Sequence, residues 1–402
     1  MSSIRDRRIV FVLAFLRATS TSALGVTLGA YLAALEIDHD TVGIIISAGL
    51  SGAVIAAALA TFAGDRLGRR AFLVGCAACA AVGTAGFAFA REPVALVVAA
   101  CVGMVNGMGR DRGGAQIIEL AILPSTTTDA TRTRSIAVYT MLQDIGHAVG
   151  ALLAGLPSVL AERTAWTPLD GHIAIVFGCA AAALAAAALS AMLGSTVEIE
   201  RAPRLGLSRE SRSILVKISA LFGLDSLGGG FVTTALVSYF FFERFGASEL
   251  AVAVLFASAR IMNALSHLGA AWLARRIGLV NTMVFTHMPS SLLLVTVAFA
   301  PSFGVAAVLF LLREGLVEMD VPTRQSYVLA VVQPNERTFA SGITNLVRLA
   351  GWAIAPLLAG LLMSEGELYL PLVVGAILKI TYDLLLWRAF RALKPPEEQH
   401  AP

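Results

Sequence analysis

The sequence predicts an all-α polytopic membrane protein: twelve transmembrane helices in two pseudo-symmetric six-helix halves. Three observations carry this expectation. The 402-residue chain is 57% hydrophobic and only 14% charged, with a mean hydropathy of +0.78. A soluble domain carries about 25% charged residues. Apolar runs near the ~20 residues that a helix needs to cross hydrocarbon recur end to end. Basic residues collect on alternate connecting segments, as the positive-inside rule requires of a multi-span chain.

Twelve runs are centred near residues 20, 52, 81, 108, 147, 183, 228, 258, 290, 315, 350 and 380. The start MSSIRDRRIVFVLAFL has the charge pattern of a leader. It lacks a small-residue cleavage site and a second span follows at once, so it reads as a retained first span. With the N-terminus inside, the inner segments hold most of the thirty Lys and Arg, while the outer ones hold Arg91, Arg163 and Arg244. The orientation that follows is multi-pass in the cell (inner) membrane with both termini cytoplasmic. The polar stretch 195–213 reads as a cytoplasmic linker between six-span bundles at 1–194 and 214–394, with 395–402 as a tail. RTRSIAVYTMLQDIGHAVGALLAGL from Arg132 repeats as RTFASGITNLVRLAGWAIAPLLAGL from Arg337. A duplicated six-span unit is a transporter architecture with its substrate site near mid-bilayer.

Charges inside spans are costly at mid-depth, about 2.5–3.5 kcal/mol each on the insertion scale, and so point to function. The basic ones are Arg17, Arg110, Arg112, Arg260, Arg313, Arg324, Arg348 and Lys379. The acidic ones are Asp111, Glu119, Asp144, Asp225, Glu314, Glu318, Asp320 and Asp383. Their equal number suggests pairing around a wet interior. Structural ion pairs fixing helix register account for some of them. On a regular helix, Arg110 and Arg112 of GMGRDRGG (107–114) point about 200° apart. Either the glycines let the backbone deform, or Arg112 faces a cavity and Arg110 pairs with a neighbouring span. On span 10, Arg313, Asp320 and Arg324 fall within about 40° of one another, with Glu314 and Glu318 on an adjacent strip. Pro322 bends that helix beside the charges.

TFAGDRLGRRAFL (61–73), between spans 2 and 3, resembles the signature cytoplasmic loop of the major facilitator superfamily. Asp65, Arg66, Gly68, Arg69, Arg70 and Leu73 match, and Thr61 replaces the usual first glycine. DATRTRS (129–135) resembles the family's loop between spans 4 and 5. The resemblance implies a gating role for Asp65, Arg66, Gly68, Arg69 and Arg70, with Asp65 and Arg69 tying spans 2 and 11 together in the outward-open state. It also implies that spans 1, 4, 7 and 10 line the central cavity. Candidate cavity residues are therefore Arg17, Arg112, Glu119, Asp225, Arg313, Glu318, Asp320 and Arg324. A carboxylate in a partly dry cavity takes up protons more readily. Asp225, whose own span carries no nearby cation, is the first proton-coupling candidate, followed by Glu119 and Glu318. Asp144 and His147 could relay protons, but a packed neutral histidine is the plainer reading for His147, His267 and His287.

The expected function is secondary transport of a small organic solute by alternating access, as proton-coupled efflux. Uptake or uniport of a small anionic metabolite gripped by arginine is the alternative, and the arginine-rich cavity leans towards a polar or anionic solute. A non-transporting receptor or scaffold is the reading from another class. No nucleophile elbow, P-loop, dinucleotide fingerprint or metal-ligand cluster stands in the sequence, so neither enzyme nor cofactor is expected. The proton gradient is the expected energy source. Cys76, Cys79, Cys101 and Cys179 lie within spans, among small residues suited to helix packing. The net charge of +3 gives no argument for nucleic acid. The expected partners are the solute and the bilayer, and the expected state is a monomer.

Overall fold

The computed structural model describes residues 2–110, 113–126, 129–163, 165–198, 208–320, 324, 337–365 and 367–390. The described residues are helical with short connections, as the composition predicts. Helices α1 (Ser2–Ala34), α2 (His39–Leu67), α3 (Arg69–Phe89), α4 (Pro93–Gly103), α5 (Gly114–Ile122), α6 (Asp129–Leu153), α7 (Leu156–Arg163) and α8 (Pro168–Ala191) make up the first half. After them come α9 (Arg209–Gly230), α10 (Thr234–Phe245), α11 (Glu249–Ile277), α12 (Leu279–Ala298), α13 (Phe303–Val317), α14 (Arg337–Glu365) and α15 (Leu370–Phe390).

Ten stretches among the described residues are long and apolar enough to cross a membrane, Ser211–Phe245 taking in both α9 and α10. The other two apolar runs take different forms. The run near 108 is split into α4 and α5, and the run near 315 is α13 followed by a turn at 318–319, with 321–323 and 325–336 outside the described set.

Helix starts follow local chemistry. The Asp38 carboxylate accepts the Thr41 N–H at 3.0 Å and caps α2, and Thr167 with Asp170 forms a reciprocal capping box on α8. Such caps satisfy backbone donors that a helix leaves orphaned.

The chain packs as two compact units. Unit 1 takes residues 1–202, 233–257 and 356–364; unit 2 takes 203–232, 258–355 and 365–402. The core of unit 1 joins Val10, Leu13, Phe72, Ile118, Tyr139 and Val197. That of unit 2 joins Ile218, Phe222, Met283, Val284, Tyr382 and Leu386.

Close helix approach in unit 1 depends on missing side chains, the usual device where lipid offers no hydrophobic drive between helices. A Cβ on Gly52 would lie 2.0 Å from the Cys101 carbonyl oxygen, and one on Gly83 would lie 2.0 Å from the Gly103 nitrogen. The end of the unit that holds Ala34 and His39 is packed as closely. There Gly29 meets Ser238 and Tyr239, and Gly43 meets Pro356 and Gly360. At the same end the His172 ring lies 3.0 Å from Glu249.

Candidate functional site

The described residues of GMGRDRGG ahead of Gly114, residues 107–110 and 113, are not helical. α4 stops with Met104 in the left-handed region (φ 50°), Gly109 adopts φ 64°, and the helix resumes at Gly114. The glycines therefore deform the backbone, and the regular-helix geometry of the sequence reading does not apply; Asp111 and Arg112 lie outside the described residues. Asn106 holds the turn, donating to the Arg110 carbonyl at 2.8 Å and accepting from the Met108 N–H at 2.9 Å. The loop docks on the start of α10. The Ala235 N–H donates to the Gly107 carbonyl at 2.9 Å, and the Thr234 hydroxyl donates to the Met108 carbonyl at 2.7 Å. A broken span exposes backbone groups that hydrocarbon cannot satisfy, so such breaks persist only where protein or a cavity meets them.

Beside the break lies a cavity of about 130 Å³ in unit 1, whose lining includes Arg17, Ser20, Thr21, Cys76, Asn106 and Glu119. Arg17 of α1 and Glu119 of α5 form a two-pronged ion pair at its wall, one arm at 2.8 Å. The Tyr139 hydroxyl of α6 donates to the same carboxylate at 2.9 Å. Glu119 is 1% exposed, whereas the Arg17 side chain keeps 21% of its surface open. The cavity thus carries a balanced charge pair with hydroxyl and amide groups around it.

The turn between α2 and α3 needs its glycine, since Gly68 sits at φ 88°. The first N–H groups of α3 point at Glu198, which accepts from Arg69 N at 2.8 Å and Arg70 N at 3.1 Å. The Arg69 guanidinium donates to the Ala121 carbonyl at 2.9 Å, and that of Arg70 to the Leu193 carbonyl at 3.3 Å. A carboxylate here meets both unpaired donors and the positive end of the helix dipole. Arg66 is exposed at the end of α2, and the Asp65 side chain lies outside the described set.

Unit 2 holds the densest cluster. Asp225 of α9, 4% exposed, accepts from Lys379 of α15 at 3.0 Å and from Arg324 at 3.1 Å. Arg324 also donates to Asp320 at 2.6 Å and lies over the Phe222 ring. His287 of α12 stands between Asp383, 3.0 Å from both carboxylate oxygens, and Lys379 at 3.2 Å. Its Nε2 is 3.6 Å from Asp225. Each buried charge thus has an opposite charge or hydrogen-bond partner, as burial in hydrocarbon demands.

The sequence profile of the Major Facilitator Superfamily matches residues 10–319. The chain belongs to this superfamily. It is a membrane transporter and not an enzyme. A relative is an uncharacterized membrane protein of Saccharomyces cerevisiae, 27% identical over 95% of this chain and 93% of its own length. The fold matches the crystal structure of the nucleoside transporter NupG at TM-score 0.74 and 16% identity, covering 96% of this chain and 99% of that one. It matches a D-xylose–proton symporter at TM-score 0.72 and 15% identity, covering 96% and 98%.

The transporter brings together some of the residues expected to act together and separates others. Arg17 meets Glu119; Arg324 meets both Asp225 and Asp320. Arg313 does not join Asp320 and Arg324, because α13 ends at Val317 and its straight-helix angles stop there. Arg313 pairs instead with Glu314, which accepts from Asn263 of α11 at 2.8 Å. Glu318 is the residue that ends α13. Asp225 does have cations close by, from α15 and from Arg324, so the absence of one on its own span does not describe its surroundings. His287, Lys379 and Asp383 complete the cluster; the sequence placed Lys379 and Asp383 among the charges inside spans and His287 as a packed histidine, but put none of them among the cavity residues. They stand on runs 9 and 12, away from the spans expected to line the cavity.

Proposed function

We propose that this transporter carries a small, polar, net-neutral organic solute across the cell membrane by alternating access, coupled to protons. Its two six-span halves are 1–194 and 214–394, and both termini are cytoplasmic. The observation that carries the reading is the cavity at the break in span 4. Its one described charge pair, Arg17–Glu119, is already matched internally. A guanidinium held in two arms by its own carboxylate is a poor free grip for an anion. Ser20, Thr21 and Asn106 offer hydroxyl and amide partners to a neutral polar solute instead. The buried ionisable cluster around Asp225 supports proton coupling, since groups of this kind inside a membrane mark proton paths. In the positive-inside orientation, the closely packed end of unit 1 around Gly29, Gly43 and Glu249 is the extracellular one. Its tight packing fits a closed outer gate.

Uptake or facilitated passage of a small anion is the second reading, favoured by the open fifth of the Arg17 side chain. The test is a thermal-shift panel on the purified protein at pH 6 and pH 8. The panel holds uridine, D-xylose, succinate and a lipophilic cation; the first two follow the names of the structural neighbours. A ligand at 100 times its Kd stabilises by about 2.7 kcal/mol. Stabilisation by uridine or D-xylose, reduced in Ser20→Ala/Thr21→Val, supports the reading. Stabilisation by succinate alone supports the second, and stabilisation by the lipophilic cation alone overturns both.

A further inference from the structure

We propose that His287 is the proton-binding group of the cluster in unit 2, and that its protonation exchanges the partner of Asp225 and loosens α9 from α15. The inference rests on the proton-coupled reading above and assigns the coupling to a residue outside the expected carboxylates.

The geometry fixes the resting ring. Nδ1 faces both oxygens of Asp383 at 3.0 Å, and a carboxylate only accepts, so Nδ1 carries a proton. Nε2 faces the Lys379 ammonium at 3.2 Å, and an ammonium only donates, so Nε2 offers its lone pair. The ring is therefore neutral in the Nδ1–H form. A proton taken from a hydronium ion on to Nε2 turns this contact into two donors and two positive charges face to face. The new N–H has an acceptor within reach, Asp225 Oδ1 at 3.6 Å, the same oxygen that Lys379 holds at 3.0 Å. Protonation thus trades the Lys379→His287 bond for a His287→Asp225 bond and weakens the Lys379–Asp225 tie. One N–H bond is made at Nε2 and one O–H bond of a hydronium ion breaks, leaving water; no other covalent bond changes.

Among the described residues, the charged groups around the ring come from the following elements. α9 contributes Asp225; α15 contributes Lys379, Asp383 and Tyr382, whose ring lies edge-on at 6.0 Å. Arg324 and Asp320 stand behind Asp225. α13 contributes Arg313 and Glu314, which bond to each other, Glu314 also accepting from Asn263. In α14, Arg348 lies over Trp352, whose Nε1 would be 3.0 Å from a Cβ on Gly229.

The exchange has a place to act. Lys379 packs against the end of α9, its Cγ being 3.0 Å from where a Cβ on Gly228 would sit. The span is interrupted at residues 231–233, directly after Gly230, and between Val232 and Thr233 the chain passes from one compact unit to the other. A span broken beside its charged residues is the form that moving elements of transporters take. A proton on His287 therefore loosens the tie next to this break.

The experiment uses the full chain in lipid nanodiscs with ¹⁵N-labelled histidine, titrated by NMR from pH 9 to pH 5. Hydrogen–deuterium exchange of the 227–234 amides, corrected for intrinsic rates, accompanies the titration. One histidine signal, absent in His287→Gln, is expected to read Nδ1–H at pH 9 and imidazolium at pH 5. Its midpoint should fall in Asp225→Asn, which keeps the shape and removes the charge, and rise in Lys379→Gln. Protection of 227–234 should drop on acidification in the wild type and stay level in His287→Gln. A ring that is imidazolium throughout, or Nε2–H at pH 9, overturns the inference. So does a wild-type segment whose protection does not respond to pH. Proton-driven transport with an unchanging His287 would overturn this assignment and leave the proposed function standing. A titrating His287 in a protein that moves solute without protons would overturn the coupling.

Discussion

Replacing Arg17 by glutamine should cost more stability than replacing Glu119 by glutamine, although the two residues share one ion pair. The asymmetry follows from what each partner is left with. Glu119 is 1% exposed, so without Arg17 its carboxylate loses a two-pronged guanidinium partner inside a buried site, while the Tyr139 hydroxyl still donates at 2.9 Å. Breaking a buried pair in this way costs about 3–5 kcal/mol. Arg17 keeps 21% of its side-chain surface open towards the cavity, so without Glu119 its guanidinium can still reach water. Its loss should be nearer the 1–3 kcal/mol of an unmade hydrogen bond. The double variant Arg17→Gln/Glu119→Gln carries neither charge and should cost less than the two singles added, by about 0.5–3 kcal/mol of coupling. Unfolding of the purified protein in one detergent at one pH measures all three. Equal losses in the singles, or strict additivity in the double, would refute the reasoning.

Gly52→Ala should cost near the upper end of the 1–3 kcal/mol expected for overpacking, because its Cβ would lie 2.0 Å from the Cys101 carbonyl oxygen. Gly75→Ala meets nothing within 4 Å and should stabilise slightly, by about 0.5–1 kcal/mol, in the same unfolding assay. Glu198→Ala removes the acceptor of the Arg69 and Arg70 amides and should cost about 1–2 kcal/mol, as loss of a helix cap does. Asp38 lies between α1 and α2, and the Thr41 N–H that it accepts holds its carboxyl below the usual carboxylate range. A depressed folded pKa means that the cap contributes above the unfolded pKa of about 3.9 and is lost as the pH falls through the lower folded value. Asp38→Asn should remove that acid dependence from the melting temperature, and an unchanged profile would contradict it.

Much of the fold was legible because composition and charge placement act locally. Runs of span length, DRLGRR at a turn that needs Gly68 at φ 88°, and glycines around Arg110 each predict a feature that the structure shows. The cluster in unit 2 was only half legible. Asp225 and Arg324 stood out as charges on spans expected to face a cavity. His287 meets Asp383 across 96 residues of sequence and Lys379 across 92, so no local spacing signals the contact. A lone histidine on an apolar helix looks like packing until helix rotation decides what it faces. Span 10 misled for a related reason. Angles summed at 100° per residue assume an unbroken helix, and α13 ends between Arg313 and Asp320. The stretch 107–114 misled least, because glycines at 107, 109, 113 and 114 made a deformed backbone one of the two readings.

The most direct test of proton-coupled transport is solute flux in proteoliposomes under an imposed pH gradient, with internal pH read at the same time. Uridine and D-xylose are the first solutes, and wild type is compared with Ser20→Ala/Thr21→Val. The account predicts flux that follows the gradient, reverses when the gradient is reversed, moves protons with the solute and falls in Ser20→Ala/Thr21→Val. The side of the gradient that drives accumulation separates export from uptake. Solute movement that is indifferent to the gradient, with no change in internal pH, would contradict the account.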